Sequence, residues 1–205
     1  MLLPVALNLE GRHVLVVGGG KVASRKVESL LECGAVVRAI STRFTLEFPD
    51  CEKEYRAYQF GDCEGYFLVF AATDDREVNA RIAQEAKNQN IWCNVVDNPA
   101  SSDFHSASVV RRDEIAIGVT TGRTSPVLAQ YVRKKIESAL GPELGILLEW
   151  MRSYDIPTEI RGDVWRELLQ SEVIALLGQG ETEAARTKLS VSLHSKFGLQ
   201  PISGS

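Results

Sequence analysis

A run of apolar residues, Val14-Leu15-Val16-Val17, leads directly into Gly18-Gly19-Gly20, and apolar residues recur at helical spacing from Val22 onward. An unbroken aliphatic run suits a buried strand, consecutive glycines suit a tight turn, and the spacing beyond them suits an amphipathic helix. Within this strand, loop and helix, Gly18, Gly20 and Ala23 fit the pattern G-x-G-x-x-A. The first glycine of that pattern turns the chain, the second lets backbone approach a pyrophosphate, and the third small residue lets the helix lie against the strand. Exposed N–H groups at the helix start, with the positive end of the helix dipole, would then hold phosphates. The bland alternative is a strand-to-helix turn that binds nothing.

The chain has 205 residues, enough for one full domain and a smaller second one. Hydrophobic residues at 44% and charged residues at 24% match globular averages and exclude disorder as the default. No apolar run approaches the roughly 20 residues of a membrane span, and Met1-Leu2-Leu3-Pro4 lacks the basic start of a signal peptide. A cytoplasmic location and no membrane partner are therefore expected. The net charge of −4 gives no footprint for nucleic acid. Cys33, Cys51, Cys63 and Cys93 are scattered without a C-x-x-C pair, and His13, His105 and His194 are far apart, so buried thiols and no protein-bound metal are expected.

Taken in order, the sequence predicts a first helix over about 22–32, stopped at Cys33-Gly34, and a second strand over 35–40. In many nicotinamide enzymes an acidic residue at the end of that second strand binds the ribose hydroxyls. Ser41, Thr42 and Arg43 stand there instead, and an arginine can equally favour a 2′-phosphate, so NAD and NADP both stay open. An edge strand is expected over 55–60 and a buried strand over 67–71. The latter delivers Ala72 and Thr73 to the carboxyl ends of the strands, where ligands of such sheets bind. Asp74 and Glu77 have capping-box spacing ahead of a helix that reaches Asn88, so Asp74 and Asp75 read as helix-capping groups, with a cofactor contact as the alternative. The next strand, over 91–96, ends in Asp97-Asn98-Pro99, where Asp97 either faces the crevice or forms an Asx turn.

A hairpin around Arg112-Asp113-Glu114 then breaks the β-α alternation, which ends the nucleotide domain near 113. Ser125 before Pro126 is an N-cap followed by proline at the first helical position. The same hydroxyl beside a glycine turn can also serve a carboxylate. Helices are expected over 144–151, 163–177 and 182–189, with a loose tail over 201–205. The fold class is thus α/β, with a Rossmann-type domain over 1–113, a connecting segment over 114–150 and a small all-helical domain over 151–205.

Four stretches in register carry a resemblance: Val16-Val17-Gly18-Gly19-Gly20-Lys21-Val22-Ala23 with Arg25-Lys26, Ala71-Ala72-Thr73-Asp74-Asp75, Cys93-Asn94-Val95-Val96-Asp97-Asn98-Pro99, and Thr121-Gly122-Arg123-Thr124-Ser125-Pro126-Val127-Leu128-Ala129. Together they resemble the precorrin-2 dehydrogenase module of siroheme synthases, over roughly residues 1–150. The resemblance implies an intertwined homodimer with residues 114–150 as dimerisation segment. It implies NAD-dependent oxidation of precorrin-2 to sirohydrochlorin, to which some members add ferrous iron insertion, a ferrochelatase activity, giving siroheme. By motif, Asp97 matches the catalytic aspartate and Ser125 a serine of the substrate pocket. Lys21, Val22, Thr42 and Arg43 fall where the dinucleotide is contacted. The segment His105-Ser106-Ala107 and Arg123 depart from the family's usual residues at those places.

The implied reaction removes a hydride and a proton from a polycarboxylate tetrapyrrole. Nicotinamide would accept the hydride, and Asp97 would take the proton. Arg111, Arg112, Arg123 and the helix start at Ser125 are candidates for the substrate carboxylates, with a solvated surface as the alternative for the arginines and His105 near the same cleft. Rival readings are a non-catalytic NAD-sensing module and a dehydrogenase acting on a small hydroxy acid.

Overall fold

The computed structural model describes residues 2–96, 98–113, 115–122 and 124–202. They form two compact units, Met1–Ser106 and Ala107–Ser205. The sequence drew the first boundary near 113. The units divide earlier because the first strand of the hairpin pairs with its own partner and packs against the helix that follows.

The first unit is a five-stranded parallel sheet in the order β3-β2-β1-β4-β5, built from β1 (His13–Val17), β2 (Val36–Ser41), β3 (Glu52–Tyr55), β4 (Leu68–Ala71) and β5 (Trp92–Val95). Its crossover helices are α1 (Lys21–Leu31) and α2 (Arg76–Asn88). The Rossmann-type expectation is borne out, and the reason is visible in β1. Val14 and Val16 join one core with Ala23, Val27 and Leu30 of α1, whereas Leu15 and Val17 join another with Ile82 and Ala86 of α2. A strand covered on both faces needs apolar residues at every position. The central register, Val17 beside Ile40 and Ala71, brings three strand ends together at the glycine loop.

Several details differ from expectation. The edge strand is Glu52–Tyr55 rather than 55–60, because Arg56 turns to fork Asp62 at 2.7 Å on both nitrogens and pulls the chain out of line. Of the two capping candidates, Asp74 and Asp75, it is Asp75 that caps α2, accepting from the N–H groups of Glu77 and Val78 at 2.8 and 3.1 Å. Cys63 and Cys93 are buried, with burial pushing both thiols up to about 12, but Cys33 and Cys51 are only half-buried.

In the second unit β6 (Ser108–Arg112) and β7 (Ile115–Val119) form the expected antiparallel hairpin, followed by α3 (Pro126–Ala139). Helices α4 (Glu143–Met151), α5 (Arg161–Gln170), α6 (Val173–Gly178) and α7 (Thr182–Phe197) share one core around Leu147, Leu168, Leu189 and Leu193. The single helix expected over 163–177 is two. Ser171 ends the first by donating to the Leu168 carbonyl at 2.7 Å and accepts from Val173 N–H at the start of the second. The last helix is longer than expected, and Pro201 and Ile202 are pinned beside Tyr154 and Ser153 rather than loose. Among the described residues no helix is long and apolar enough to cross a membrane.

Candidate functional site

The glycine loop is stitched to the strands on either side of it. Gly18 N–H donates to the Ile40 carbonyl at 2.9 Å, Ala72 N–H to Val17 at 2.8 Å, and Thr45 N–H to the Gly19 carbonyl at 2.9 Å. Gly18 has φ +134, a conformation that side chains disfavour, and a Cβ there would lie 2.3 Å from the Ala72 carbonyl oxygen. Gly20 is different. It is the N-cap of α1, no side chain caps the helix, and nothing lies within 4 Å of where its Cβ would be. The first-turn N–H groups of an uncapped helix and its dipole therefore open onto free space, which fits a pyrophosphate.

That space is a cavity of about 620 Å³ lined by Gly18, Gly20, Thr42, Arg43, Ala72 and Thr73, among others. A second cavity of about 570 Å³ shares Gly20, Ala72, Thr73 and Asp74 with the first and adds Lys21 and Val22. All the cofactor candidates named from sequence thus converge at the carboxyl ends of the parallel strands. The second cavity also reaches Val95, Val96 and Asn98.

Asp97 and Arg123 lie outside the described residues. His105 is half-buried in the first unit, and Arg111 is exposed on β6 of the second. Ser125 caps α3, its hydroxyl accepting from Leu128 N–H at 3.1 Å. Arg112, named from sequence with the other two arginines for the substrate carboxylates, is instead spent on the carbonyls of Leu140 and Glu137 at 3.1 and 3.0 Å. Among the described residues no group of three or more His, Cys, Asp or Glu could hold a metal ion.

Sequence reasoning missed two supports of this site. The buried Asn79 amide accepts from both the Thr73 N–H and hydroxyl, at 3.1 and 2.7 Å, and donates back to the Thr73 carbonyl at 3.0 Å. The Thr73 hydroxyl is therefore committed, which leaves its surroundings, not its side chain, to face a ligand. Buried Glu85 accepts from the Tyr58 hydroxyl, from Cys63 N–H at 2.9 Å and from Gly61 N–H at 3.1 Å. It fixes the stretch whose members Arg56, Ala57 and Tyr58 wall the larger cavity. A signal existed: Glu85 follows Ile82 by three residues, on the inward face of α2.

The chain is 34% identical to the siroheme synthase of Actinobacillus succinogenes over 95% of its own length and 44% of that protein's. It is 40% identical to siroheme synthase 2 of Aeromonas hydrophila over 72% of this chain and 32% of that one. The resemblance carried by the four motifs is thus borne out, and the chain spans less than half the length of these curated relatives. Among solved structures, "SirC, precorrin-2 dehydrogenase" superposes with a TM-score of 0.72 at 18% identity, covering 92% of this chain and 98% of that one, which bears out the fold. Residues 5–108 match the family model described as "Putative NAD(P)-binding". With half its length under that model, and with the uncapped Gly20 helix start opening on a cavity at the strand ends, the chain belongs to this NAD(P)-binding family.

Proposed function

We propose that this chain is an NAD-dependent precorrin-2 dehydrogenase, an oxidoreductase of siroheme biosynthesis acting in the cytoplasm. The observation that carries the reading is the uncapped N-terminus of α1 at Gly20, open toward two adjoining cavities at the ends of β1, β2 and β4. The N–H groups of Lys21 and Val22, with the dipole of an 11-residue helix, hold the pyrophosphate. Thr42 and Arg43 lie on the adenosine side, at the end of β2, and Ala72 and Thr73 on the floor between the halves. Bound NAD⁺ supplies the hydride acceptor.

Asp97 serves as the base. It must be ionised to take the proton that leaves as the tetrapyrrole is oxidised, so that precorrin-2 gives sirohydrochlorin, NADH and a proton. The supports for this role are its motif and its place between Val96 and Asn98, both of which line the second cavity. Arg111, Arg123, His105 and the Ser125 helix start bind the acetate and propionate groups. Ferrous iron, where it is inserted, is a substrate, and Asp97 would then accept pyrrole protons in turn. The chain works as a homodimer through residues 114–150.

The test is anaerobic incubation of the protein with precorrin-2 and NAD⁺, following NADH and sirohydrochlorin absorbance together. Both should rise in equal amounts, and Asp97→Ala should lower the rate by at least about a hundredfold, the contribution usual for a positioned acid or base. Nucleotide binding without turnover would instead support a sensing module. Adding Fe²⁺ to sirohydrochlorin decides chelation separately.

A further inference from the structure

In a β-α-β nucleotide unit the ribose next to adenine lies at the end of the second strand. Here that end is Ser41, Thr42, Arg43 and Thr45, all lining the larger cavity, with no carboxylate among them to accept ribose hydroxyls. The carboxylates that do line the cavity, Asp74 and Asp75, follow β4, and Asp75 is occupied in capping α2.

Two arginines border the β2 and β3 ends of this cavity. Arg56 is already neutralised by its fork on Asp62 and its pair with Glu54. Arg43 has no carboxylate partner among the described residues, and its side chain is exposed. Its backbone, by contrast, is held. Ser41 Oγ donates to the Arg43 carbonyl at 2.7 Å, and Thr45 N–H ties the segment to Gly19. Between them, the Phe44 ring packs edge-on against Phe48 and Tyr55 at 4.7 and 5.0 Å. An uncommitted guanidinium on an anchored backbone at the ribose position is what a phosphate dianion needs, because the planar fork meets two of its oxygens at once.

We propose that Arg43 is a specificity-determining residue that makes this site accept the 2′-phosphorylated dinucleotide, so that NADP⁺ binds at least as tightly as NAD⁺. The inference rests on the nucleotide reading but not on the tetrapyrrole chemistry. It is tested by calorimetric titration of the full chain with NAD⁺ and, separately, NADP⁺, with no tetrapyrrole present. In the unaltered protein NADP⁺ should bind as tightly as NAD⁺ or more so, with the steeper loss of affinity as salt is raised. Arg43→Ala should weaken NADP⁺ by about tenfold or more, one charge-assisted contact, and weaken NAD⁺ by a clearly smaller factor, since NAD⁺ carries no 2′-phosphate for the fork to hold. Arg43→Lys should keep part of the NADP⁺ affinity, since it retains charge without the fork. Retained NAD⁺ binding shows that each variant folds. If NADP⁺ binds tenfold more weakly than NAD⁺ to the unaltered protein, or if Arg43→Ala weakens both alike, the inference is overturned and the NAD reading stands. If neither nucleotide binds, both fall. If both bind but precorrin-2 is not oxidised, the specificity survives and the proposed activity does not.

Discussion

At Gly19 the cavity wall and the polypeptide compete for the same volume. A Cβ there would sit 2.0 Å from the Arg43 carbonyl oxygen and 2.8 Å from Ser41 Oγ, so the segment after β2 must retreat if the position is anything but glycine. The atom in the way is backbone and cannot rotate aside. We expect Gly19→Ala to cost about 1–3 kcal/mol in urea unfolding, the range of overpacking, and to weaken NAD⁺ at least about tenfold by displacing Arg43 and its neighbours. Unchanged affinity would mean that the segment after β2 is not a wall of the nucleotide site. The glycine pattern itself was legible because its demands are local: a turn, a close approach and a small helix contact, all inside six residues. Asn79 was not legible, since its partner Thr73 is chosen by the fold of α2 back over β4 rather than by sequence spacing.

The stretch after β3 is held by α2 through one carboxylate. Burial opposes the charge on Glu85, but the Tyr58 hydroxyl and the Cys63 and Gly61 N–H groups outweigh it and hold the carboxyl below its ordinary value of 4.5. A group with a depressed folded pKa contributes stability that is present above the unfolded value and lost as pH falls through the folded one. Glu85→Gln should therefore cost about 1–3 kcal/mol near neutral pH, and the gap from the unaltered protein should stay constant down to about pH 4.5 and then shrink. Asp62, held low by Arg56 and the Gln59 N–H against its own burial, titrates in both proteins and cancels in the difference. Urea midpoints measured from pH 7 to 3 check this, and a gap that widens in acid would contradict it. Burial first, then the carboxylate beneath it, pushes the Tyr58 phenol up, so its share is lost only in strong alkali. This arrangement also explains the misplaced edge strand: aromatic and aliphatic residues over 55–60 look like a strand, yet Arg56 and Tyr58 are turned away by Asp62 and Glu85, partners that lie up to 27 residues along the chain.

For the whole molecule, the question is what covers α3. The first unit contains both cavities described above, and the helices beyond α3 close around their own core. Helix α3 lies on the hairpin but keeps most of its surface open: of its 14 residues only Ala129 is buried, while Val127 is 76%, Leu128 51% and Tyr131 57% exposed. Its apolar spacing was legible, and so was the cap at Ser125, but an amphipathic pattern says only that a face is to be buried, not by which chain. Neighbouring exposed apolar side chains on one helix suit an interface, and a second copy is the partner the homodimer reading supplies. In a two-fold dimer each residue of that face is used twice. Burying one Val or Leu side chain is worth roughly 1.5–3 kcal/mol, so even partial burial of Val127 and Leu128 on both protomers offers several kcal/mol. The double variant Val127→Glu, Leu128→Glu should therefore raise the dimer dissociation constant by at least about a hundredfold, as read by sedimentation velocity across a concentration series. Because neither residue lines the cavities of the first unit, NAD⁺ should still bind the resulting monomer within about threefold. Precorrin-2 turnover should fall if the substrate carboxylates are gripped from both copies. An unaltered protein that sediments as a monomer at tens of micromolar would remove the dimer and leave α3 in need of another partner.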